Sequence, residues 1–350
     1  MIVYGISCLA ASMTAYLGIR NGDKRLGRKE IILFSCLPLI LVAALRYDVG
    51  EDYLSGYVSY FEMVHLNLLP QNQRLDFIFH LLNLGVSKLG GDYLWVFSIC
   101  AVVFYILTID QVFEDSPNPA LSIFLLTGMG YVFIFFNAMR QMVGCAILLW
   151  SLRFVREKRL FPFLLCVAIA TGFHLTCVFF VISYFWTRIK ITPLFAAILT
   201  IFVLASSQLI AEIVKAIMRK TQYAVYLSSI FDTGKDALVT IFIHVILLVL
   251  FSIFYVDNRK FQMYYNLLLL AVWISFFSGR IVLGIRMMWM FGITTIISLP
   301  IVIQTIQDEK NQKVLTVTVV LLYSLYSMVT VGLQNSNSVL PYQTILSRWF

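Results

Sequence analysis

The chain has 350 residues, 60% of them hydrophobic and only 13% charged, with a mean hydropathy of +0.87. A soluble globular chain carries roughly 25% charged residues, so this composition excludes a water-soluble domain and leaves a bilayer as the solvent. The formal net charge of +8 would suggest nucleic acid for a soluble protein. Here the basic residues sit in short loops between apolar runs, and no nucleic-acid partner is expected.

In chain order, the run 1–19 has no basic segment before it and Arg and Lys after it, so it reads as a first span rather than a cleavable leader. The loop 20–30 follows, with Arg20, Lys24, Arg25, Arg28 and Lys29, and the positive-inside rule assigns it to the cytoplasm. Segment 30–45 returns outward into a polar region that opens at Arg46. A short run, 77–91, contains His80, Asn83 and Lys88 and is expected to lie at the interface rather than cross. Spans are expected near 93–113, 120–136 and 138–155, ending at a second basic cluster of Arg153, Arg156, Lys158 and Arg159.

The run 160–186 allows two readings. As one tilted helix it spans comfortably; broken at Gly172, it forms two half-length pieces and brings His174 to the outer side. Charge counting does not separate them, and the broken form is preferred because it gathers the unusual polar residues on one face. Further apolar segments occupy 191–206, 238–256, 264–277 and 314–333. Strand-like alternation is missing, so helices must satisfy the backbone in lipid. The expected fold is all-α polytopic, a single integral membrane domain over 1–350. About 11–12 transmembrane helices plus a short interfacial helix are expected from the roughly 20-residue length of a span. The outer loops are placed at about 46–92 and 211–236, with an outer tail at 334–350. The six cysteines (Cys8, Cys36, Cys100, Cys145, Cys166 and Cys177) all fall in apolar segments and are assigned to packing.

Ionisable residues in or beside apolar segments are costly and mark function by default. Four groups qualify: Arg46, Asp48, Gly50, Glu51, Asp52, Tyr53 and Tyr57 after the second span; Asn137, Arg140 and Gln141 between two apolar helices; Gly172, Phe173 and His174; and Arg280 with Arg286. Asp76, Pro341 and Tyr342 are added to them, whereas His65, His80 and His244 are read as packing residues. Each residue has a bland reading as a snorkelling or helix-linking side chain. Together, arginines, one histidine and several carboxylates converge on one membrane face. Arginine forks suit phosphate, and no HExxH, CxxC or Walker-type loop points to a metal or ATP. An anionic lipid substrate, with no metal and no cofactor, is the expectation from the residues alone.

At these residues the sequence resembles the EpsG / Wzy family of polysaccharide polymerases. The likeness runs through Arg46-x-x-x-Gly50-x-Asp52-Tyr53, then Asp76 where the family more usually has glutamate, then Asn137-x-x-Arg140-Gln141. Phe173-His174, the late Arg286, and Pro341-Tyr342 near the end complete it. The resemblance implies a multi-pass protein of the bacterial inner (plasma) membrane that polymerises undecaprenyl-diphosphate-linked oligosaccharide repeat units for O-antigen, capsule or exopolysaccharide. It also implies a likeness to metal-independent membrane glycosyltransferases and a chain-length regulator as protein partner. On that basis Arg46, Arg140 and Arg286 are expected at the diphosphate. His174, Asp52 or Asp76 would supply the base, and Asp48, Tyr53, Asn137, Gln141 and Tyr342 would contact substrate. Two other classes compete. A flippase for the same lipid-linked unit should show inverted repeats, and none is seen; a membrane O-acyltransferase or ligase would need an acyl-donor route from the cytoplasm.

Overall fold

A computed structural model describes residues 1–20, 27–70, 76–220, 235–278, 281 and 284–348. The described residues contain helices and no strand; one isolated bridge joins Arg46 to Thr344. Four helices are long and apolar enough to cross a bilayer, or six if each of two bent pairs is one span. The four are α1 (Ile2–Arg20), α5 (Tyr93–Asp115), α11 (Pro193–Met218) and the run Glu309–Leu333. One bent pair is α6 (Pro119–Gly128) with α7 (Tyr131–Asn137), broken where Gly130 takes φ +88°. The other is α14 (Gly284–Gly292) with α15 (Thr295–Thr305). The chain is therefore a multi-pass α-helical membrane protein. On α11, Leu194, Ile198, Ile201, Phe202 and Leu209 stand exposed, an apolar surface too large for water and suited to lipid.

Helix starts follow local chemistry. The Asp92 side chain accepts from the Leu94 N–H at the head of α5, and Asn118 caps α6 with Pro119 behind it. Thr192 with Pro193 opens α11 in the same way. The Ser/Thr/Asp/Asn preference at caps and Pro at the first helical position account for all three.

The interior is built by α5, α8 (Met139–Arg156) and α13 (Arg259–Ser278), whose residues Leu267, Leu268 and Val272 are fully buried. Two of the expected loops are more ordered than a loop. The region 46–92 holds a π turn at Tyr53–Val58, α3 (Ser59–His65) and α4 (Phe77–Lys88). At 12 residues, α4 is roughly 18 Å long, too short for a core of roughly 30 Å. The expected 211–236 loop begins inside α11, which continues to Met218; residues 221–234 lie outside the described ones, as does Arg280.

The run 160–186 doubles back. Helix α9 (Leu160–Phe173) ends as the backbone turns extended at His174, and a tight 3-10 segment, Leu175–Ile182, descends beside it. The Tyr184 hydroxyl donates to the Lys158 carbonyl at 2.8 Å, and Phe163 packs on Phe180 and Tyr184, so both arms start and finish at one end of the bundle. Gly172 is required here: a methyl group on it would lie 2.5 Å from the Ile78 side chain of α4.

That shared end is basic. Arg28 pairs with Glu114 at 3.0 Å, Arg153 with Asp110 at 2.7 Å, and Arg156 with Glu114 and with the fully buried Asp115. Arg259 donates to the Arg156 carbonyl, and Lys190 pairs with Asp257. The opposite end carries Arg46, Asp76, Asn137, Arg140 and His174.

Candidate functional site

Asp76 stands at the head of α4, Arg140 in the first turn of α8, and His174 at the tip of the doubled-back run. These three elements meet. The Asp76 carboxylate accepts from Arg140 Nη1 at 2.5 Å, contacts His174 Nδ1 at 3.3 Å, and accepts from the Leu175 N–H at 3.1 Å. Pairing with a carboxylate favours the proton on Nδ1, which leaves His174 Nε2 as an acceptor with no hydrogen bond among the described residues. Burial acts to raise the Asp76 pKa. The His174 hydrogen bond, the Arg140 charge and the Leu175 N–H outweigh it and hold the carboxyl below its ordinary value. Arg140 keeps donors in hand: its Nε is buried without a partner.

Gln141 ties this centre to α14 by donating to the Arg286 carbonyl. The Arg286 side chain is half-buried, and its guanidinium has no hydrogen bond or ion pair among the described residues. Asp52 is exposed nearby. Burial of its surroundings raises its pKa most, while the Arg286 charge pulls it back down, with a net rise. Asp48 is exposed at φ +50°.

Other residues read from the sequence serve the frame. Arg46 has no exposed surface. Its Nη1 donates to the Phe136 carbonyl at 2.8 Å and to the Val49 carbonyl at 3.2 Å, and the guanidinium lies against the rings of Phe136, Phe97 and Tyr53. In this structure the enclosed cation braces the backbone through Nη1, while its Nε and Nη2 are buried without a hydrogen-bond partner among the described residues. Tyr53 is likewise fully buried and donates to the Arg46 carbonyl, and Tyr342 donates to the Val42 carbonyl. Both hydroxyls brace the backbone, and Tyr342 is only partly buried.

The tail runs alongside the segment after α2 (Arg28–Ala44): Tyr47 N–H donates to the Gln343 carbonyl and Gly50 N–H to the Ser338 carbonyl. Gly50 needs to be glycine, with φ +102° and a methyl position only 2.6 Å from Asn137 Oδ1. Asn137 donates to the Asn337 carbonyl at 2.9 Å, and its own carbonyl accepts from Tyr57. Asn337 was not singled out from the sequence. The available signal was its run, Asn335-Ser336-Asn337-Ser338, whose Asn and Ser residues reach positive φ at 335, 337 and 338.

No curated protein and no solved structure matches this chain. The family model described as EpsG family matches residues 29–344, a stretch that includes every site residue above. With nearly its whole length matched, the chain belongs to the EpsG family, a family of Wzy-like polysaccharide polymerases.

Proposed function

We propose that this protein joins oligosaccharide repeat units carried on undecaprenyl diphosphate, by glycosyl transfer at the outer face of the bacterial plasma membrane and without a metal ion. The observation that carries the reading is the three-way contact of Asp76, His174 and Arg140 beside the uncommitted Arg286 guanidinium. The basic loops gather at the other end of the bundle, which favours the outer face for this one.

In the proposed reaction the acceptor sugar hydroxyl attacks the anomeric carbon of the donor. Its proton passes to His174 Nε2, while Asp76 holds Nδ1–H and fixes the tautomer. The bond from the anomeric carbon to the phosphate oxygen breaks, and the lipid diphosphate leaves with the electron pair. Arg140 and Arg286 stabilise the charge that develops there, the task a metal performs in other transferases. Asp52, at the mouth of the site, contacts the incoming sugar. Arg46 acts at one remove, by fixing the segment that carries Asp52.

The test is complementation of a strain lacking this gene. His174→Ala is expected to leave single repeat units accumulating on the lipid carrier at normal protein abundance. EDTA should leave the reconstituted wild-type activity intact. Full polymer from His174→Ala would remove His174 as the base, and a metal-reversible loss with EDTA would overturn the metal-free route.

A further inference from the structure

A cavity of about 480 Å³ is lined by Ile285, Met288 and Trp289 of α14. Glu51 and Asn337 line it at the site end, so it adjoins the centre described above. From there it descends between α12 (Lys235–Ile253) and α16 (Glu309–Ser327). Helix α12 packs on α13, and α16 packs on α6 and α15, which holds the two walls apart. Trp289, Tyr131 and Tyr323 give the cavity aromatic faces.

His244 is the informative residue. It lies nine residues into α12, roughly 14 Å along the helix axis, and is only 7% exposed. Its Nδ1 sits 2.7 Å from the Thr240 carbonyl, so the proton belongs on Nδ1 and Nε2 is an acceptor. That Nε2 is buried with no hydrogen-bond partner among the described residues. A methyl group built on Gly292 would lie 2.8 Å from Met288 Sδ, 3.0 Å from the Tyr131 hydroxyl and 3.4 Å from His244 Nε2, so both polar groups, which also line the cavity, lie close to this glycine.

A buried acceptor left without a donor is costly, and native structures rarely keep one idle. An isoprenoid chain has no donor to offer. It also gains little by leaving lipid for an apolar wall, because the bilayer is already as apolar. A sugar offers both hydroxyl donors for Nε2 and C–H faces for the aromatic walls, the usual mixture in a small-molecule site. Building on the polymerase reading, we infer that this cavity is a saccharide subsite for the lipid-linked substrate, with His244 accepting from a sugar hydroxyl.

The test uses the purified full-length protein in nanodiscs, with binding followed by tryptophan fluorescence. The probes are the repeat-unit oligosaccharide released from its carrier by mild acid, and a sugar-free polyprenyl phosphate. Wild type should bind the oligosaccharide saturably. His244→Leu should bind it roughly five- to tenfold more weakly, the worth of one neutral hydrogen bond. His244→Gln, which keeps an acceptor, should recover most of the affinity, and Tyr131→Phe should weaken it in a folded background. Polyprenyl phosphate should bind equally to wild type and His244→Leu. Equal oligosaccharide binding by wild type, His244→Leu and Tyr131→Phe would overturn the subsite. So would loss confined to polyprenyl phosphate, which would assign the cavity to the lipid chain. If binding depends on His244 yet a strain lacking the gene still polymerises, the subsite stands and the polymerase reading falls.

Discussion

Replacing Asp76 with asparagine keeps the shape of the side chain and removes its charge, which isolates what the carboxylate does. In the native protein two oxygens accept from Arg140, from the Leu175 N–H and from His174 Nδ1. An asparagine turns one of those acceptors into an NH2 donor, which must then face Arg140, the Leu175 N–H or His174 Nδ1–H, all of them donors. Facing the histidine, it would favour the tautomer that puts the proton on Nε2, and the base would be lost. A hydrogen bond to a charged group contributes about 1.5–3 kcal/mol. Loss of a positioned base costs on the order of 10²–10⁴ in rate, or ~2.7–5.5 kcal/mol of barrier. All three side chains are less than one-quarter exposed, so solvent does little to soften the change. The assay is turnover of lipid-linked repeat units in proteoliposomes, with protein abundance and melting temperature measured in parallel. Asp76→Asn should lose at least a hundredfold in kcat while melting shifts only modestly. Asp76→Glu should stay within about tenfold, since a carboxylate can still reach both partners with small adjustments. Wild-type turnover in Asp76→Asn would refute the Asp76–His174 coupling.

Arg46→Ala should act on stability: it removes two charge-assisted hydrogen bonds to buried carbonyls, about 3 kcal/mol or more. The expected result is a lower membrane level and melting temperature, with unchanged KM in the folded fraction; normal stability with a raised KM would restore a phosphate role. Gly50→Ala combines a strained φ, about 1–3 kcal/mol, with a contact against Asn137, and should release the tail, measured as faster proteolysis after residue 334. Single cysteines at Ser336 and Lys158, in a background lacking the native cysteines, should label from the outer and inner sides respectively. Labelling of both from one side would undo the topology.

Several features were legible because their cause is local. A histidine in an otherwise uncharged apolar run stands out in sequence, and so does the Asn137-x-x-Arg140-Gln141 interruption between two apolar helices. Loop charge and parity, which are also readable along the chain, assign Asn137, Arg140 and Gln141 to the outer face, whereas His174 joins them only if 160–186 is broken, a choice that charge does not make. What escaped depends on partners distant in sequence. The burial of Arg46 is decided by Phe97 and Phe136, some 50 and 90 positions away, and by a tail about 300 positions away. A helix-end arginine looks the same in sequence whether it is caged or free. Nothing in the sequence marks Asp115 apart from Asp110 and Glu114, yet Asp115 is fully buried between Arg156, Tyr264 and Gln111. The break at Gly130 needs a positive φ that its apolar surroundings do not announce.

Helix α8 connects these two kinds of residue. Arg140 lies in its first turn, and Arg153 and Arg156 lie in its last. The separation of 13 to 16 residues is roughly 20–24 Å of helix, so one helix carries cations toward both ends of the bundle. At the basic end the two arginines are held by Asp110, Glu114 and Asp115 from α5, so α8 cannot slide or rotate without breaking these partly buried ion pairs. A rigid strut clamped there delivers Arg140 to a fixed height at the opposite end, where α9 supplies His174 only because its chain stops short at Gly172 and turns back. The same length of apolar sequence run straight through would have carried His174 past the carboxylate that orients it. The basic end is therefore more than a topology signal: it holds the register in which a half-length hairpin and α8 bring His174 and Arg140 to the same aspartate.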